Sequence, residues 1–211
     1  MEKTKYYDVV VIGAGLAGLY CAQLLSSQGL QVLLVDRKRS LTTFIHTTGI
    51  FVRRTLEDFA LPQDCLGPVI RQAKLYSPRR RVQVLQSSHD EFQVAQMGKL
   101  YLHYLEACLC AGVTWLPATH YRGCEVIDQN MLQITLEANK TQWLVQARYL
   151  VGADGAVSHV ARDLQLDRNT HWITGVEDVF HGVPLEGPPC FHCVLDAELA
   201  PGYLAWLVND G

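Results

Sequence analysis

The chain has 211 residues, of which 49% are hydrophobic and 18% are charged, and its formal net charge is −3. This length and hydrophobic share support a sizeable globular core and exclude an intrinsically disordered protein. The slightly acidic balance excludes a general electrostatic attraction to nucleic acid, so we expect no nucleic-acid partner.

The first informative stretch runs from a predicted strand at 8–12 (DVVVI) through the glycine-rich sequence GAGLAG at 13–18 into a predicted helix that ends at Gly29. A second apolar run at 32–35 (VLLV) ends at Asp36. The pattern predicts a parallel strand–turn–helix–strand unit, typical of dinucleotide-binding proteins. We expect the helix to bury the face that carries Ala17, Cys21, Leu24 and Leu25.

In such a unit the first glycine makes the tight turn, the second lets the backbone approach a pyrophosphate, and the third lets helix and strand pack closely. The helix N-terminus then offers free N–H groups to the phosphates. The candidate pyrophosphate-binding residues are therefore Gly13, Ala14, Gly15, Leu16, Ala17 and Gly18. A purely structural corner is the alternative.

Two residues after the second strand are candidates for the adenosine part of the cofactor. Asp36 is placed to accept hydrogen bonds from a ribose, and an acid at this position favours FAD or NAD over NADP. Arg37 is a candidate for an adenine face or a phosphate, with an exposed basic turn as the alternative.

The sequence from Val9 to Val35 contains no charged residue, but its glycines and its Gln and Ser residues are typical of a buried strand and helix. We therefore expect no integral membrane segment. Charged residues precede the apolar run and no cleavage site follows it, so we predict no signal peptide. Seven cysteines then fit reduced thiols, and we expect a cytoplasmic protein.

In the middle of the chain, the hydrophobic pattern alternates between the periodicity of helices and that of strands. We predict a short helix at 53–59, an antiparallel hairpin from Val69 around Ser77-Pro78, and a helix at 99–111. That helix is expected to bury Leu102, Leu105, Cys108 and Leu109. Several strands follow at 113–150, joined by turns at 128–130 and 137–140.

Catalytic and metal-binding residues do not emerge from the pattern. Cys190 and Cys193 flank a histidine in a predicted strand, where residues three apart point to opposite faces, so we predict no metal site. The histidines are isolated in sequence, and the catalytic residues remain unknown.

A second signature lies at 148–162 (RYLVGADGAVSHVAR), where a predicted strand leaves through Gly152 into an Asp154-Gly155 turn. Ser158 is placed as the N-cap of a short helix. In doubly wound sheets such a turn lies at the ligand-binding edge, the same edge as the first glycine turn.

Together, these two motifs resemble the FAD-dependent oxidoreductases of the p-hydroxybenzoate hydroxylase and geranylgeranyl reductase type. The resemblance implies an α/β fold, with a three-layer Rossmann-like FAD-binding domain and an inserted antiparallel substrate-side sheet. It places Gly152, Asp154 and Gly155 near the FAD pyrophosphate, and it makes NADH or NADPH a candidate electron donor. For Ser158 and Arg162, a role in capping the helix and stabilising the structure is as well supported as a role at the cofactor.

The resemblance also implies domain boundaries. The FAD-binding domain is expected at 1–68 and 92–168, and a partial substrate-side β domain at 69–91 and 169–211. In the latter, Tyr203 and Trp206 are similar to aromatic residues that line the substrate side, with ordinary sheet aromatics as the alternative. Lys99 stands where family members usually carry an arginine, and the third family motif is missing, which indicates C-terminal truncation.

Three hypotheses follow. The first is an FAD-dependent oxidoreductase, reductase-like or monooxygenase-like, with an apolar organic or isoprenoid small-molecule substrate. The second is a non-catalytic FAD- or nucleotide-binding module whose flavin-ring half is lost or supplied by a partner chain. The third is a plain NAD-binding protein.

Overall fold

The computed structural model describes residues 4–180, 182–184 and 187–208, so positions 181, 185, 186 and 209–211 of the predicted segment 169–211 lie outside them. The chain forms two compact units. The first comprises Met1–Ile45 and Tyr101–His171, and the second comprises His46–Leu100 and Trp172–Gly211. Segments 46–68 and 92–100, whose strands pair with each other, group with the second unit. The domain boundaries expected from the resemblance stay a prediction.

The first unit is built on a six-stranded sheet with the order β7-β2-β1-β10-β9-β8. Its pairings β1–β10, β1–β2 and β2–β7 are parallel, while β10–β9 and β8–β9 are antiparallel. This mixed sheet confirms the predicted α/β fold. The strands are β1 (Lys5–Ile12), β2 (Val32–Val35), β7 (Thr114–Leu116), β8 (His120–Asp128), β9 (Met131–Ala138) and β10 (Thr141–Gly152).

Helix α1 (Leu16–Ser27) contacts β1 and β2 through a face different from the predicted one. Its buried residues are Gly18, Leu19, Ala22 and Ser26, whereas the side chain of Leu24 is 49% exposed. The small residues permit close packing, and Ser26 Oγ donates a hydrogen bond of 2.7 Å to the Ala111 carbonyl. The predicted face is therefore wrong, because α1 packs closely on the sheet through small side chains rather than through its larger apolar ones.

Helix α3 (Met97–Cys110) differs in the same way. Leu100, Tyr104 and Cys108 are buried, whereas Leu102 and Leu109 are about half exposed. Cys108 Sγ donates to the Leu19 carbonyl at 3.1 Å, which ties this helix to α1. Within the described ranges, no helix is both long and apolar enough to span a membrane.

One core cluster of the first unit joins residues of β1, β2, β9 and β10 with Val160 of α4 (His159–Asp163). The strands contribute Val10, Ile12, Leu33, Val35, Ile134, Leu136, Val145 and Ala147. This packing fixes the carboxyl ends of β1, β2 and β10 side by side, where both predicted motifs begin.

The second unit contains a four-stranded sheet with the order β12-β11-β4-β5 and a two-stranded sheet β3-β6. The hairpin β4–β5 is antiparallel as predicted, but β11 pairs in parallel with β4, so the sheet is mixed. The long connection between these strands makes the parallel pairing possible. The elements are β3 (Ile50–Val52), α2 (Arg53–Asp58), a 3-10 helix (Gln63–Cys65), β4 (Gln72–Tyr76), β5 (Val82–Gln86), β6 (Phe92–Val94), β11 (Cys190–Val194) and β12 (Ala205–Val208).

Candidate nucleotide-binding site

The first glycine turn leaves β1 at Gly13, whose φ of +102° favours glycine. Its N–H donates to the Val35 carbonyl at 2.8 Å, which holds the turn against β2. A Cβ at this position would lie 2.2 Å from the Ala153 carbonyl oxygen, a distance that no side chain tolerates. Both the backbone conformation and the space therefore require glycine.

Gly15 and Gly18 face different surroundings. A Cβ on Gly18 would lie 1.8 Å from the Gly13 carbonyl oxygen, so Gly18 lets α1 pack against the turn. A Cβ on Gly15 would meet nothing within 4 Å. Gly15 is also the N-cap of α1, and no side chain caps this helix end. The open space and the uncapped N–H groups are the features that an anionic group needs at a helix N-terminus.

Asp36 follows β2 and is half-buried beside the glycine turn. Its carboxylate accepts hydrogen bonds of 2.7 Å from the N–H groups of Ala14 and Lys38. Asp36 therefore fixes the turn, a structural task that sequence reasoning missed, and its role with a ribose stays a prediction. Arg37 is exposed, and its contact with an adenine or a phosphate also stays a prediction.

The second motif lies directly beside the first. The N–H of Ala153 donates to the Ile12 carbonyl at 2.8 Å, so the chain leaving β10 is held against the end of β1. The position of a Cβ on Gly13 is 3.0 Å from Asp154 Cα. The two bends, which are far apart in the sequence, therefore meet at one edge of the six-stranded sheet.

Asp154 is committed to the start of α4. Its carboxylate accepts hydrogen bonds from Ser158 Oγ at 2.5 Å and from the N–H groups of His159 and Val160 at 2.7 and 3.2 Å. Ser158 Oγ in turn accepts from the Ala161 N–H, which confirms the predicted N-cap. Contact of Asp154 with a cofactor remains a prediction.

The two glycines that flank Asp154 differ in their surroundings. A Cβ on Gly152 would lie 2.9 Å from Val160 Cβ, so this glycine allows α4 to pack on β10. Gly155 has φ +88°, and a Cβ added to it would meet no atom within 4 Å, so its backbone borders open space. Their contact with a cofactor was predicted from the resemblance and stays a prediction.

Tyr101 of α3 lies close enough to Asp36 to feel its charge, which the sequence did not predict. Burial and, to a smaller extent, the negative charge of Asp36 raise the pKa of the Tyr101 phenol. The phenol therefore remains protonated and available as a hydrogen-bond donor near the acid that follows β2. No local signal marks this tyrosine, because the fold brings the two residues together from distant parts of the sequence.

The predicted substrate-side aromatics belong to the second unit. Trp206 lies in β12 and stacks on Phe191 at a centroid distance of 5.9 Å, and Phe191 stacks on Phe92 at 5.3 Å. Tyr203 is 65% exposed in the turn before β12, so it is not a strand residue. Their contact with a substrate remains a prediction.

His192 is not isolated in the fold. Its Nδ1 is 2.9 Å from Tyr76 Oη, and the two rings are stacked. In the part of the chain that the structure describes, no group of three or more His, Cys, Asp or Glu residues is arranged to hold a metal ion.

Comparisons with known proteins agree with this geometry. The chain is 23% identical over 212 residues to a digeranylgeranylglycerophospholipid reductase of Methanococcoides burtonii, covering 97% of this chain and 52% of the reductase. It is 27% identical over 202 residues to the 3-(3-hydroxy-phenyl)propionate/3-hydroxycinnamic acid hydroxylase of Escherichia coli. This match covers 88% of this chain and 36% of the hydroxylase. The chain thus spans about half or less of the length of these curated relatives.

A solved structure of a geranylgeranyl bacteriochlorophyll reductase-like protein from Thermoplasma acidophilum shares the fold. Its TM-score is 0.79 at 18% identity, over 99% of this chain and 55% of that protein. The sequence pattern of the FAD binding domain family matches residues 6–205. Because this match covers nearly the whole chain and includes both bends, the protein belongs to the FAD binding domain family.

Proposed function

We propose that the chain binds FAD at the paired bends and forms the nucleotide-binding part of an FAD-dependent oxidoreductase. The observation that carries the proposal is the contact between Gly13 and the Ala153-Asp154 backbone, which brings both motifs to one sheet edge. Family membership and the reductase and hydroxylase relatives support it. From these relatives we infer a small apolar substrate, either isoprenoid or aromatic.

The residues present suit the adenosine diphosphate half of FAD. The open space at Gly15 admits the pyrophosphate, and the backbone N–H groups of Leu16 and Ala17 are its proposed donors at the N-terminus of α1. Gly155 borders the same edge with an unobstructed backbone. The bound flavin would supply the redox chemistry, and the protein would supply its position.

Asp36 has remaining lone pairs on its carboxylate after accepting from Ala14 and Lys38, and we propose that these accept the ribose hydroxyl groups. Arg37 and the phenol of Tyr101 are the proposed neighbours of the adenosine part. Because both carboxylate oxygens are already held by backbone N–H groups, Asp36 is pre-oriented and would lose little conformational entropy on binding.

A flavin spectrum tests the proposal. The purified chain is incubated with excess FAD and desalted, and we expect retention of a flavin absorbance band. Titration with NADH or NADPH under anaerobic conditions then tests the proposed electron donor, since bleaching of the band reports reduction. Absence of the band after reconstitution would reject FAD binding.

A second candidate function is a nucleotide-binding module without activity of its own. It is favoured by one observation, that the chain spans 52% of the reductase relative and 36% of the hydroxylase relative. A partner chain or a further segment would then complete the flavin-ring half. FAD binding without turnover under NADH or NADPH supports the module, whereas multiple turnovers by the purified chain exclude it. If instead NAD displaces FAD from the site, the protein is a plain NAD-binding protein.

We further propose that the protein acts in the cytoplasm on a small molecule. The reduced state of its cysteines supports this, since all seven are free in the structure. Fractionation of cells from the native source, followed by immunodetection, tests this location.

A further inference from the structure

Strand β5 (Val82–Gln86) forms one edge of the four-stranded sheet in the second unit, next to β4. All of its residues are exposed, and the apolar side chains of Val82, Val84 and Leu85 are each about half exposed. The backbone of an edge strand presents a row of N–H and C=O groups with which a further strand can pair. β5 is therefore a candidate surface for the addition of a strand.

The register of the β4–β5 hairpin shows which backbone groups of β5 point outward. The Ser87 N–H, directly after β5, donates to the Arg71 carbonyl at 2.9 Å, in continuation of the hairpin register. Hydrogen bonding to the neighbouring strand alternates along an antiparallel pair. The residues whose N–H and C=O groups point away from β4 are therefore Val82, Val84 and Gln86. Within the described ranges, β5 pairs with no strand other than β4.

β5 lacks the features that protect edge strands from pairing. Its sequence, VQVLQ, contains no charged residue, proline or glycine, and its register with β4 has no bulge. By contrast, the edge strand β8 of the six-stranded sheet contains Arg122, Glu125 and Asp128 and two register shifts. The other outer strands of these two sheets, β7 and β12, have only three and four residues. Since charges, bulges and shortness oppose contact between edges, β5 is the edge where pairing meets the least opposition.

The outward groups of β5 are complementary to themselves. When two copies pair antiparallel around a two-fold axis at Val84, this residue lies opposite its own counterpart, and Val82 lies opposite Gln86 of the second copy. All residues with outward groups are then paired, which gives about six hydrogen bonds between the strands. The Val84 carbonyl accepts from Gln83 Nε2 at 3.2 Å, an exposed contact that a strand N–H can replace. The pairing also brings the half-exposed valines of both copies together on one face of the sheet.

The residues that flank β5 favour the antiparallel orientation over a parallel one. Three exposed arginines, Arg79, Arg80 and Arg81, precede the strand, and none of them forms an ion pair within residues 4–180, 182–184 and 187–208. The segment after the strand, 87–90 (SSHD), ends in Asp90, whose side chain is half exposed. Antiparallel pairing lays the arginines of each copy along this segment of the other copy, whereas parallel pairing would set the two groups of arginines against each other.

We propose that the protein forms a two-fold symmetric dimer, in which the β5 strands of two copies pair antiparallel and join the two four-stranded sheets into one continuous sheet. The partner at the β5 edge is thus a second copy of this chain. Because a two-fold contact uses the same surface on both copies, assembly stops at the dimer. A strand pair of this length buries less surface than a standard interface of about 1,600 Å², so we expect a weak dimer whose population depends on concentration.

Sedimentation velocity of the full chain from about 1 μM to about 1 mM tests the proposal, and we expect a shift from monomer to dimer. Val84→Lys sets two ammonium groups opposite each other and should raise the dissociation constant of the dimer at least roughly tenfold. Val126→Lys is the matched control, because it adds the same charge at an exposed position of the edge strand β8 and should leave the dimer unchanged. A monomer at every concentration, equal weakening by both variants, or growth beyond the dimer would overturn the proposal.

Cysteine cross-linking tests the position of the two-fold axis. Residues opposite each other in a hydrogen-bonded antiparallel pair have Cα atoms about 5.5 Å apart, a distance that a disulfide spans. Under oxidation, Val84→Cys should give a covalent dimer on a non-reducing gel, whereas Val82→Cys should not, because it lies opposite Gln86 rather than its own counterpart. The unaltered protein controls for the native cysteines, of which Cys110 is exposed. Equal cross-linking of both variants, or of neither, would reject this pairing.

The outcome is separable from that of the proposed function. The residues that carry the dimer proposal all belong to the β4–β5 hairpin and its flanks, and neither measurement needs FAD. A dimer that forms without FAD retention supports the pairing while the flavoprotein proposal fails, and FAD retention by a permanent monomer gives the reverse result. Should Val84→Lys not fold, the concentration dependence of the unaltered protein and the two cysteine variants still decide.

Discussion

At the scale of single residues, different physical effects explain why glycine occupies each of the three positions of the first turn. Gly13 and Gly18 are enforced by packing, because any Cβ there would overlap carbonyl oxygens of Ala153 and Gly13. Gly15 has a φ of −73°, which every residue adopts, and open space in front of it. Neither the backbone conformation nor the packing requires a glycine at position 15, so a bound ligand is the remaining reason for this glycine.

This difference predicts opposite behaviour of two alanine variants. Gly18→Ala should lower the free energy of unfolding by about 3 kcal/mol or more, since the added methyl group is overpacked against backbone. Gly15→Ala should leave the stability of the FAD-free protein unchanged, because its methyl group meets nothing, and should weaken FAD binding at least roughly tenfold. Urea unfolding and fluorescence titration with FAD measure the two effects. If a folded Gly15→Ala variant binds FAD with unchanged affinity, the proposal that a phosphate of FAD binds at this position is rejected.

His192 provides a prediction on pH. Burial, followed by the charge of Lys74, lowers its pKa below the ordinary 6.5, so the folded protein binds this proton less readily than the unfolded chain. The stability contributed by the neutral imidazole is therefore complete above about pH 6.5 and is lost as the pH falls through the folded-state pKa. In Lys74→Met the pKa should rise but stay lowered, since burial remains.

Titration of the His192 ring protons by nuclear magnetic resonance measures this pKa in the native protein and in the variant. Arg79→Met serves as the control and should leave the midpoint unchanged. A midpoint at or above 6.5 in the native protein would contradict the half-buried, lysine-flanked position of the ring.

At the scale of secondary-structure elements, α4 depends on one acid. Asp154 accepts three hydrogen bonds at the start of this short helix, and Ser158 accepts a fourth. Asp154→Ala leaves two backbone N–H groups, those of His159 and Val160, without this acceptor, and we expect it to lower the free energy of unfolding by about 1–2 kcal/mol. Ser158→Ala should cost less, because the Asp154 bonds to the backbone persist.

Thermal unfolding without FAD measures this effect. The loss should be present in the FAD-free protein, since α4 is capped by Asp154 independently of any ligand. If Asp154→Ala unfolds like the native protein without FAD and is destabilised only in its presence, Asp154 acts on the cofactor rather than on α4.

The elements that local patterns determine were predicted well, and those that depend on packing were not. The strand–turn–helix start, the β4–β5 hairpin and the Ser158 cap follow from alternation, turn residues and capping chemistry, which are local. The buried face of α1 follows Gly18, Ala22 and Ser26, because close approach to the sheet selects small side chains that a hydrophobicity pattern ignores. The parallel pairing of β11 with β4 joins distant segments and leaves no local trace.

The site divides along the same line. Adjacency of the two bends follows from the rule that ligand sites form at the carboxyl ends of parallel strands, so it was predictable. The engagement of Asp36 by Ala14 and Lys38, the proximity of Tyr101 to Asp36, and the Tyr76–His192 pair were not predictable, because each requires the three-dimensional register of separate segments.

At the scale of the whole molecule, the protein groups that are candidates for binding FAD all suit its adenosine diphosphate half. Gly15 and the N-terminus of α1 suit a pyrophosphate, and Asp36 suits a ribose. The chain spans 52% of the length of the reductase relative. Under the proposed function, these groups serve the adenosine diphosphate half of FAD. The affinity for FAD should then come mainly from its adenosine diphosphate half.

This distribution predicts a ranking of competitors. ADP should displace FAD with an affinity within about tenfold of that of FAD, since it retains the adenosine and both phosphates, whereas FMN should compete at least roughly a hundredfold more weakly. Displacement is measured by the recovery of free-flavin fluorescence, with Gly15→Ala as a matched control that should weaken FAD and ADP equally. If FMN competes as well as ADP, groups of this chain also hold the flavin ring. The ranking therefore separates a complete flavin site from one that binds the nucleotide half alone.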